Sequence, residues 1–194
     1  MARDEGRGPF IYGKQRYKDS ILVSCPLSLV PVMLKWLWLS ALVIVLDQIS
    51  KYMASHLLTM YEPLAVMPMF NLTLMHNTGA AFSFLSEAGG WQRWFFTLVA
   101  LVISIVIFGW MRRLHSGQTL QAAALSLVLG GAIGNVIDRL LLGHVVDFIQ
   151  VYYEQWYWPA FNVADSAISL GVALLILDTL RGSHSETDVT DSKQ

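Results

Sequence analysis

Asp147 and Asp165 stand in largely apolar stretches, residues 145–151 and 161–166. If both enter one site of low dielectric, two like charges cannot both ionise cheaply, and the pair shares a proton. One carboxyl group then takes a proton from water while the other donates to a carbonyl, which hydrolyses a peptide without a metal or a covalent intermediate. Buried carboxylates also serve proton relays and ion paths, so the residue types alone leave these functions open.

Further polar residues interrupt other apolar stretches. Asp47 and Lys51 are spaced i,i+4 with the acid first, the order that favours an ion pair on a helix. Asn135 and Arg139 have the same spacing, and Asp138 lies one turn from Asn135. Such residues are costly within a membrane unless they are partnered or hydrated. They predict a shared polar pocket, although a purely structural ion pair also explains Asp47 and Lys51.

Competing chemistries need residues that this pattern does not supply. Ser83 and Ser166 are candidate nucleophiles, but a serine nucleophile requires a neighbouring histidine, and His76 and His144 lie outside the apolar stretches while His56 lies at the end of one. His144 and Asp147 have a spacing that could bind a metal, yet no third ligand follows at a clear spacing. We therefore expect neither a metal nor another cofactor.

The composition places these residues in a membrane. Of 194 residues, 55% are hydrophobic and 14% are charged, compared with roughly 25% charged residues in an ordinary soluble domain. The net charge of −1 provides no basic field for nucleic acid, and the single Cys25 excludes a disulfide framework. The composition argues against a water-soluble enzyme and indicates an integral membrane protein of one domain.

Four stretches reach the roughly 20 apolar residues that a membrane-spanning helix needs. They are Leu34–Leu57, Trp91–Met111, 120–142 and 158–180. The two long connections, residues 58–90 and 143–157, contain no Lys or Arg, whereas the other connections and the termini do. The positive-inside rule then predicts cytoplasmic termini and two outward loops.

This topology brings the polar residues to one layer beneath the outer surface. The fourth span runs inward, and at 1.5 Å per residue Asp165 would lie about 10 Å past Trp158. Gly130 and Gly134 form a small-xxx-small step, which predicts close helix packing and leaves open room for a ligand.

The outward loops show signs of a small sheet. Residues 70–75 alternate after two prolines, and residues 145–151 form a second strand candidate. Residues 80–85 are apolar but too short to span a bilayer, so they predict an interfacial helix or part of the sheet. The predicted fold is an all-α integral membrane protein with four transmembrane helices, plus a small extracytoplasmic β-sheet region.

The chain divides into three parts by composition. Residues 1–32 are a polar, basic extension, which we expect to be dispensable. Cys25 follows a stretch that mimics a lipid-attachment signal but lacks the preceding apolar region. Residues 33–182 contain the four spans, and residues 183–194 form a polar cytoplasmic tail.

Five blocks of residues resemble a known family in their order and separation. The blocks are DQISK at 47–51, NTGAAFS at 77–83, GGAIGNVIDR at 130–139, VVDF at 145–148 and FNVADS at 161–166. Over residues 34–180 the chain is similar to the signal peptidase II family of bacterial lipoprotein signal peptidases.

The resemblance implies a four-helix aspartyl endopeptidase that removes signal peptides from prolipoproteins, cutting N-terminal to a diacylglyceryl-modified cysteine. By position, Asp147 and Asp165 would be the catalytic pair. The residues that would bind substrate or brace the site are Asp47, Lys51, Asn77, Asn135, Arg139, Asn162 and Ser166.

The resemblance also implies a setting and partners: the bacterial inner membrane, with a site near the outer leaflet, diacylglyceryl-prolipoproteins as substrates, and inhibition by the peptide antibiotic globomycin. We further expect a monomer without a nucleic-acid partner. Judged from the residues alone, a protein of another class stays open, namely a non-catalytic proton-conducting subunit or lipid-binding scaffold with the same polar layer.

Overall fold

The computed structural model describes residues 32–79 and 90–191, and it contains four long helices and four strands. Their order is a 3-10 turn (Val32–Trp36), α1 (Leu37–Leu57), β1 (Leu64–Met67), β2 (Phe70–Asn77), α2 (Trp91–Met111), α3 (Thr119–Leu141), β3 (Val145–Tyr153), β4 (Trp156–Tyr157) and α4 (Val163–Asp191). The predictions for residues 1–31 and 80–85, including those for Cys25 and Ser83, lie outside the described residues.

All four helices are long and apolar enough to cross a membrane. The apolar segments are Leu34–Leu57, Trp91–Met111, Thr119–Leu141 and Val163–Arg181. Because 67% of the α3 segment is buried, against 17% to 28% of the others, α3 is the central helix, and it packs against the other three. The predicted four-span membrane fold is confirmed, while the orientation of the termini stays a prediction.

Small residues let α3 approach its neighbours closely. A Cβ added to Gly130 would lie 2.8 Å from the backbone oxygen of Ser40 in α1. A Cβ on Gly131 would overlap the backbone oxygen of Ala164 in α4, and one on Gly134 would lie 2.7 Å from Oδ2 of Asp47. The close helix packing predicted from this stretch is therefore confirmed.

The strands form one antiparallel sheet in the order β1-β2-β3-β4, which confirms the predicted sheet region. β2 and β3 are the two predicted strands, and each is longer than predicted. Their pairing places Met75 opposite Asp147, just after a register irregularity between Leu72 and Met75. Asp147 is thus held on a paired strand rather than on a loop.

The prediction for the last span was wrong at its start. The predicted stretch was 158–180, but α4 begins at Val163. Phe161 is still bound to the sheet, since Phe161 and Ile149 exchange two backbone hydrogen bonds of 2.9 Å. The apolar residues at 158–161, which follow β4, lengthened the hydrophobic stretch without belonging to the helix. Asp165 consequently lies in the first turn of α4 rather than about 10 Å along it.

Candidate active site

Asp147 is held in a defined orientation by two amide side chains. Asn162 donates from Nδ2 to Oδ1 of Asp147 at 2.7 Å, and Asn77 donates from Nδ2 to Oδ2 at 3.0 Å. Only 2% of Asp147 is exposed. Both carboxylate oxygens therefore have a partner although the group is nearly fully buried, as a buried polar group requires.

Asp165 is positioned by the beginning of α4. The side-chain oxygen of Asn162 accepts a hydrogen bond from the Asp165 backbone N–H at 2.9 Å, which is an N-cap contact. Asn135 of α3 donates from Nδ2 to Oδ1 of Asp165 at 2.7 Å. The position of this carboxylate thus depends on both the helix cap and the α3–α4 interface.

Two asparagines connect the aspartates. Asn162 is completely buried, and its Nδ2 also lies 3.3 Å from Oδ1 of Asn135. Each asparagine donates to one aspartate, and the two asparagines contact each other. The structure therefore joins Asp147 and Asp165 in one continuous hydrogen-bond network, which agrees with the predicted shared polar pocket.

A buried group of charges lies next to this network. Lys51 Nζ contacts Oδ2 of Asp47 at 2.8 Å and Oδ2 of Asp138 at 2.9 Å, and it donates to Oδ1 of Asn135 at 2.9 Å. The predicted i,i+4 ion pair between Asp47 and Lys51 is confirmed. We refer to Asp47, Lys51 and Asp138 as the charge cluster.

Two further residues near the site have no role predicted from the sequence. Asp138 lies in the predicted polar layer, and its position one turn after Asn135 is the signal that indicates it. Gln48 has no such signal, but its Nε2 donates to Oδ1 of Asp138 at 2.8 Å. This contact joins α1 to α3, so no spacing within either helix could have indicated it.

Burial dominates the electrostatics of Asp147. Burial raises the pKa of Asp147 to about 7, and the neighbouring Asp165 carboxylate acts in the same direction. The hydrogen bonds from Asn77 and Asn162 and the ammonium group of Lys51 oppose this rise in the pKa. At neutral pH a substantial fraction of the Asp147 carboxyl groups is therefore protonated.

A cavity of about 570 Å³ opens beside Asp165. Its polar lining consists of Asn77, Asn135, Arg139, Asp165, Ser166 and Ser169. Residues 158–161 and Ile168 supply much of the apolar lining. Asp147 adjoins the cavity through its contact with Asn77. The space can admit a peptide segment beside the Asp165 carboxyl group, against both polar and apolar side chains.

Arg139 and Ser166 lie at the wall of this cavity. The guanidinium group of Arg139 donates to the backbone oxygens of Asn135 at 3.3 Å and Gly79 at 3.4 Å. Ser166 Oγ donates to the backbone oxygen of Asn162 at 2.9 Å. Arginine stays protonated, so it is suited to holding oxygen atoms and not to acid–base chemistry.

The histidine considered as a metal ligand has a different contact. His144 stacks on His76, with ring centroids 3.8 Å apart. Within residues 32–79 and 90–191, no group of three or more His, Cys, Asp or Glu side chains is arranged to hold a metal ion.

Four membrane-length helices, a sheet at one end of them and a polar site at their junction define a multi-pass membrane protein. The sequence profile described as "Signal peptidase (SPase) II" matches residues 39–181. The chain belongs to the signal peptidase II family, and this membership makes it a protease.

Relatives and solved structures agree with the family. The chain is 54% identical over 154 residues to a lipoprotein signal peptidase of Pseudomonas paraeruginosa, covering 78% of this chain and 91% of that protein. It is 54% identical over 160 residues to one of Pseudomonas putida, covering 81% and 94%. A bacterial membrane enzyme solved by the in meso method at 2.3 Å resolution is similar with a TM-score of 0.70 and 31% identity, covering 77% of this chain and 89% of that one.

Proposed function

We propose that the chain is an aspartic endopeptidase that removes signal peptides from diacylglyceryl-modified prolipoproteins, cutting N-terminal to the lipidated cysteine. The observation that supports this most directly is the network in which Asn135 holds Asp165, which lines the cavity, and Asn162 holds Asp147, which contacts the cavity-lining Asn77. The name lipoprotein signal peptidase, which the relatives bear, supports the substrate class. Family membership decides against the non-catalytic alternative.

The proposed mechanism uses one water and the shared proton. The ionised carboxyl group takes a proton from the water, whose oxygen attacks the carbonyl carbon, while the protonated carboxyl group donates to the carbonyl oxygen. The resulting diol collapses as the C–N bond breaks and a proton passes to the cysteine amine. A pKa of about 7 for Asp147 supports this assignment because the pair then holds one proton near neutral pH.

Asn77, Asn135 and Asn162 would position the catalytic pair, and Arg139 and Ser166 would contact the substrate. The guanidinium group at the cavity wall can donate to carbonyl oxygens of the bound peptide. Asp47 and Lys51 would brace the site through Asn135. These roles agree with the contacts of each side chain, and no metal or other cofactor enters the proposed reaction.

The proposed setting is the bacterial inner membrane, with both termini cytoplasmic and the active site near the outer leaflet. The absence of Lys and Arg from residues 58–90 and 143–157 supports this orientation. Lipid chains anchored in the outer leaflet would bring the scissile bond to that depth and restrict its motion, which lowers the entropic cost of catalysis. We further propose that the enzyme acts as a monomer and is blocked by globomycin.

In this proposal residues 33–182 form the peptidase domain, residues 183–194 a polar tail and residues 1–32 a dispensable extension. The match of the family profile to residues 39–181 supports these limits. A chain without residues 1–32 is therefore expected to cleave as the full chain does.

A gel-shift assay in liposomes tests the function. The purified protein is mixed with a diacylglyceryl-modified prolipoprotein, and Asp147→Asn and Asp165→Asn are compared with the wild type. Each substitution should reduce cleavage below detection because an amide can neither accept nor supply the shared proton. Asp178→Asn is the matched control, since Asp178 lies on α4 about 20 Å from Asp165 along the helix axis.

The outcomes separate the function from the residue assignment. Cleavage by the wild type and by Asp178→Asn alone supports both. Cleavage by all four proteins would keep the function and refute the catalytic pair. A folded wild type that leaves the lipidated substrate intact, under conditions in which a relative cleaves it, would refute the proposed substrate.

A further inference from the structure

The charge cluster has a second set of contacts that involves the protein backbone. Oδ1 of Asp47 accepts a hydrogen bond from the Ala164 N–H at 2.9 Å. Oδ2 of Asp138 accepts one from the Val146 N–H at 3.1 Å. Ala164 immediately precedes Asp165, and Val146 immediately precedes Asp147. Each carboxylate of the cluster therefore holds the backbone N–H of the residue before one member of the catalytic pair.

Lys51 joins these two contacts and adds a third. Its ammonium group binds both carboxylates and also the side-chain oxygen of Asn135. Because that oxygen is directed at Lys51, the amide nitrogen of Asn135 is directed at Asp165, 2.7 Å away. One ammonium group thus acts on the α4 backbone, on the β3 backbone and on the orientation of the amide that binds Asp165.

The location of the cluster matters because β3 and α4 approach the site separately. Asp147 comes from a strand of the sheet and Asp165 from the first turn of a helix. Asp47 and Lys51 lie on α1, and Asp138 lies on α3. The cluster contacts both supporting elements from two helices that carry neither catalytic residue, so it can hold strand and helix at a constant separation.

We propose that Asp47, Lys51 and Asp138 are positioning residues that set the separation of the Asp147 and Asp165 carboxyl groups. They act through the backbone N–H groups of the preceding residues, Val146 and Ala164. This inference rests on the proposed function. It assigns a positioning role to Asp138, which supports Asp147 in the same way as Asp47 supports Asp165. Gln48 supports the cluster because it donates to Asp138.

The cluster should affect kcat rather than KM. Among the described residues that line the cavity, none belongs to the cluster, and its side chains are at most 4% exposed. The substrate therefore does not touch these residues. Displacing a catalytic group by about 1 Å can reduce the rate about a hundredfold even when the cause lies away from the reacting atoms.

Asp47→Asn and Asp138→Asn provide nearly isosteric tests. Each carboxylate faces hydrogen-bond donors on both oxygens: a backbone N–H, the Lys51 ammonium group and the Gln48 amide. An asparagine must direct its own NH₂ group at one of these donors, so at least one contact is lost in either orientation. We expect each variant to lower kcat about ten- to a hundredfold, with KM within twofold of wild type.

The pH profile provides a readout that a merely structural role would not change. Asp147 is surrounded by the charges of Asp165 from α4, Lys51 from α1 and Arg139 from α3. Carboxyl groups that move apart hold the shared proton less tightly, and a Lys51 that has lost one anionic partner also favours ionised carboxylates. Both variants should therefore shift the alkaline limb of the pH–rate profile to lower pH.

Two further variants distinguish loss of the cluster contacts from general destabilisation of the fold. Ser40→Ala is the matched control, because Ser40 Oγ makes a buried 2.7 Å hydrogen bond from α1 to Ser126 of α3 without contacting the site. It should leave kcat and the alkaline limb unchanged. Gln48→Met loosens the cluster without removing a charge and should lower kcat a few-fold, so it decides the case if the aspartate variants do not fold.

Wild-type enzyme with liposome-bound lipidated prolipoprotein is the reference for all variants. A lower kcat with unchanged KM and a shifted alkaline limb supports the proposal. Wild-type kcat and pH profile in the folded variants would overturn it, as would a change confined to KM. Because the wild type and the Asp147→Asn variant are assayed alongside, failure of this inference is distinguishable from failure of the proposed function.

Discussion

The two ends of the helix bundle are held together by different contacts. The site end is the end nearest the sheet, and its buried side chains include Asp47, Lys51, Asn135, Asp138 and Asn162. The far end contains an apolar cluster of Ile107, Met111, Leu114, Ala122, Leu125, Val128 and Leu129. Polar contacts at the far end include hydroxyl groups bound to backbone oxygens, such as that between Ser40 and Ser126.

The two kinds of contact differ in how strictly they fix the positions of the helices. Apolar packing between membrane helices depends on van der Waals contact and tolerates small displacements, because lipid is as apolar as the side chains themselves. Charged and amide groups bind their partners in defined directions, and a protein is strongly destabilised when a buried charge loses its partner. The site end therefore fixes the geometry that the chemistry requires, and the far end keeps the helices together.

The largest effect is expected where helix packing and site geometry meet. Gly131→Ala would place a methyl group against the backbone oxygen of Ala164 and the side chain of Ile168. α3 and α4 must separate, which displaces Asp165, and kcat should fall about a hundredfold or more. Steady-state cleavage of the lipidated prolipoprotein measures this change.

Gly109→Ala in α2 is the control for the added methyl group, since a Cβ there meets nothing within 4 Å. It should retain wild-type kcat. If Gly131→Ala kept kcat within twofold of wild type, the close α3–α4 contact would not determine the position of Asp165.

A second prediction separates the two roles of Asn162. Asn162→Ala removes the N-cap of α4 and the donor to Asp147, whereas Asn162→Ser can retain the cap. A hydrogen bond to a charged group contributes about 1.5–3 kcal/mol, so both variants should lose about ten- to a hundredfold in kcat. The serine variant should regain about 1 kcal/mol of stability over the alanine variant.

Thermal unfolding and cleavage rates together measure this pair. Recovery of stability by serine without recovery of kcat would separate the cap from the contact to Asp147. Recovery of both would show that Asn162 acts through the helix cap alone.

Much of the fold was predictable because it depends on local patterns. Four apolar runs of about 20 residues predicted the helices, and the spacing of Asp47 and Lys51 predicted their ion pair. The start of α4 was not predictable in this way, because aromatic residues suit a membrane helix and an interfacial strand equally well. Only the pairing of Phe161 with Ile149 distinguishes the two.

The contacts of the site show the same limit. The resemblance indicated Asn135 and Asn162, but the partner of each amide depends on how α3, α4 and β3 meet. The contact of Gln48 with Asp138 joins residues 90 positions apart. Such contacts depend on the register between two helices, which no spacing within one helix contains.

The pH dependence of cleavage provides a smaller, graded effect. The pKa of Asp147 is raised to about 7, mainly by burial, so this carboxyl group holds its proton below that pH and loses it above. We expect kcat/KM to fall about tenfold per pH unit above pH 7. A rate that stays constant to pH 9 would contradict a shared proton on this pair.

The same pKa shift affects stability with a definite sign. Since the folded protein holds the Asp147 proton more tightly than the unfolded chain, the contribution of this group to the free energy of unfolding is greatest at low pH. It should decrease as the pH rises from about 4 to about 7. Asp147→Asn should remove this part of the pH dependence, which thermal unfolding in detergent over that range measures.

The smallest effect on activity is expected at the far end. Leu125 is 1% exposed in the apolar cluster, and Leu125→Ala should leave a cavity that costs about 2–4 kcal/mol of stability. Because this cluster contacts neither aspartate, kcat should stay within twofold of wild type at temperatures where the variant is folded. A stability loss without a change in kcat is the reverse of the result expected for Gln48→Met. If Leu125→Ala lowered kcat as much as Asn162→Ala does, the two ends would be mechanically coupled, and the site geometry would depend on packing throughout the bundle.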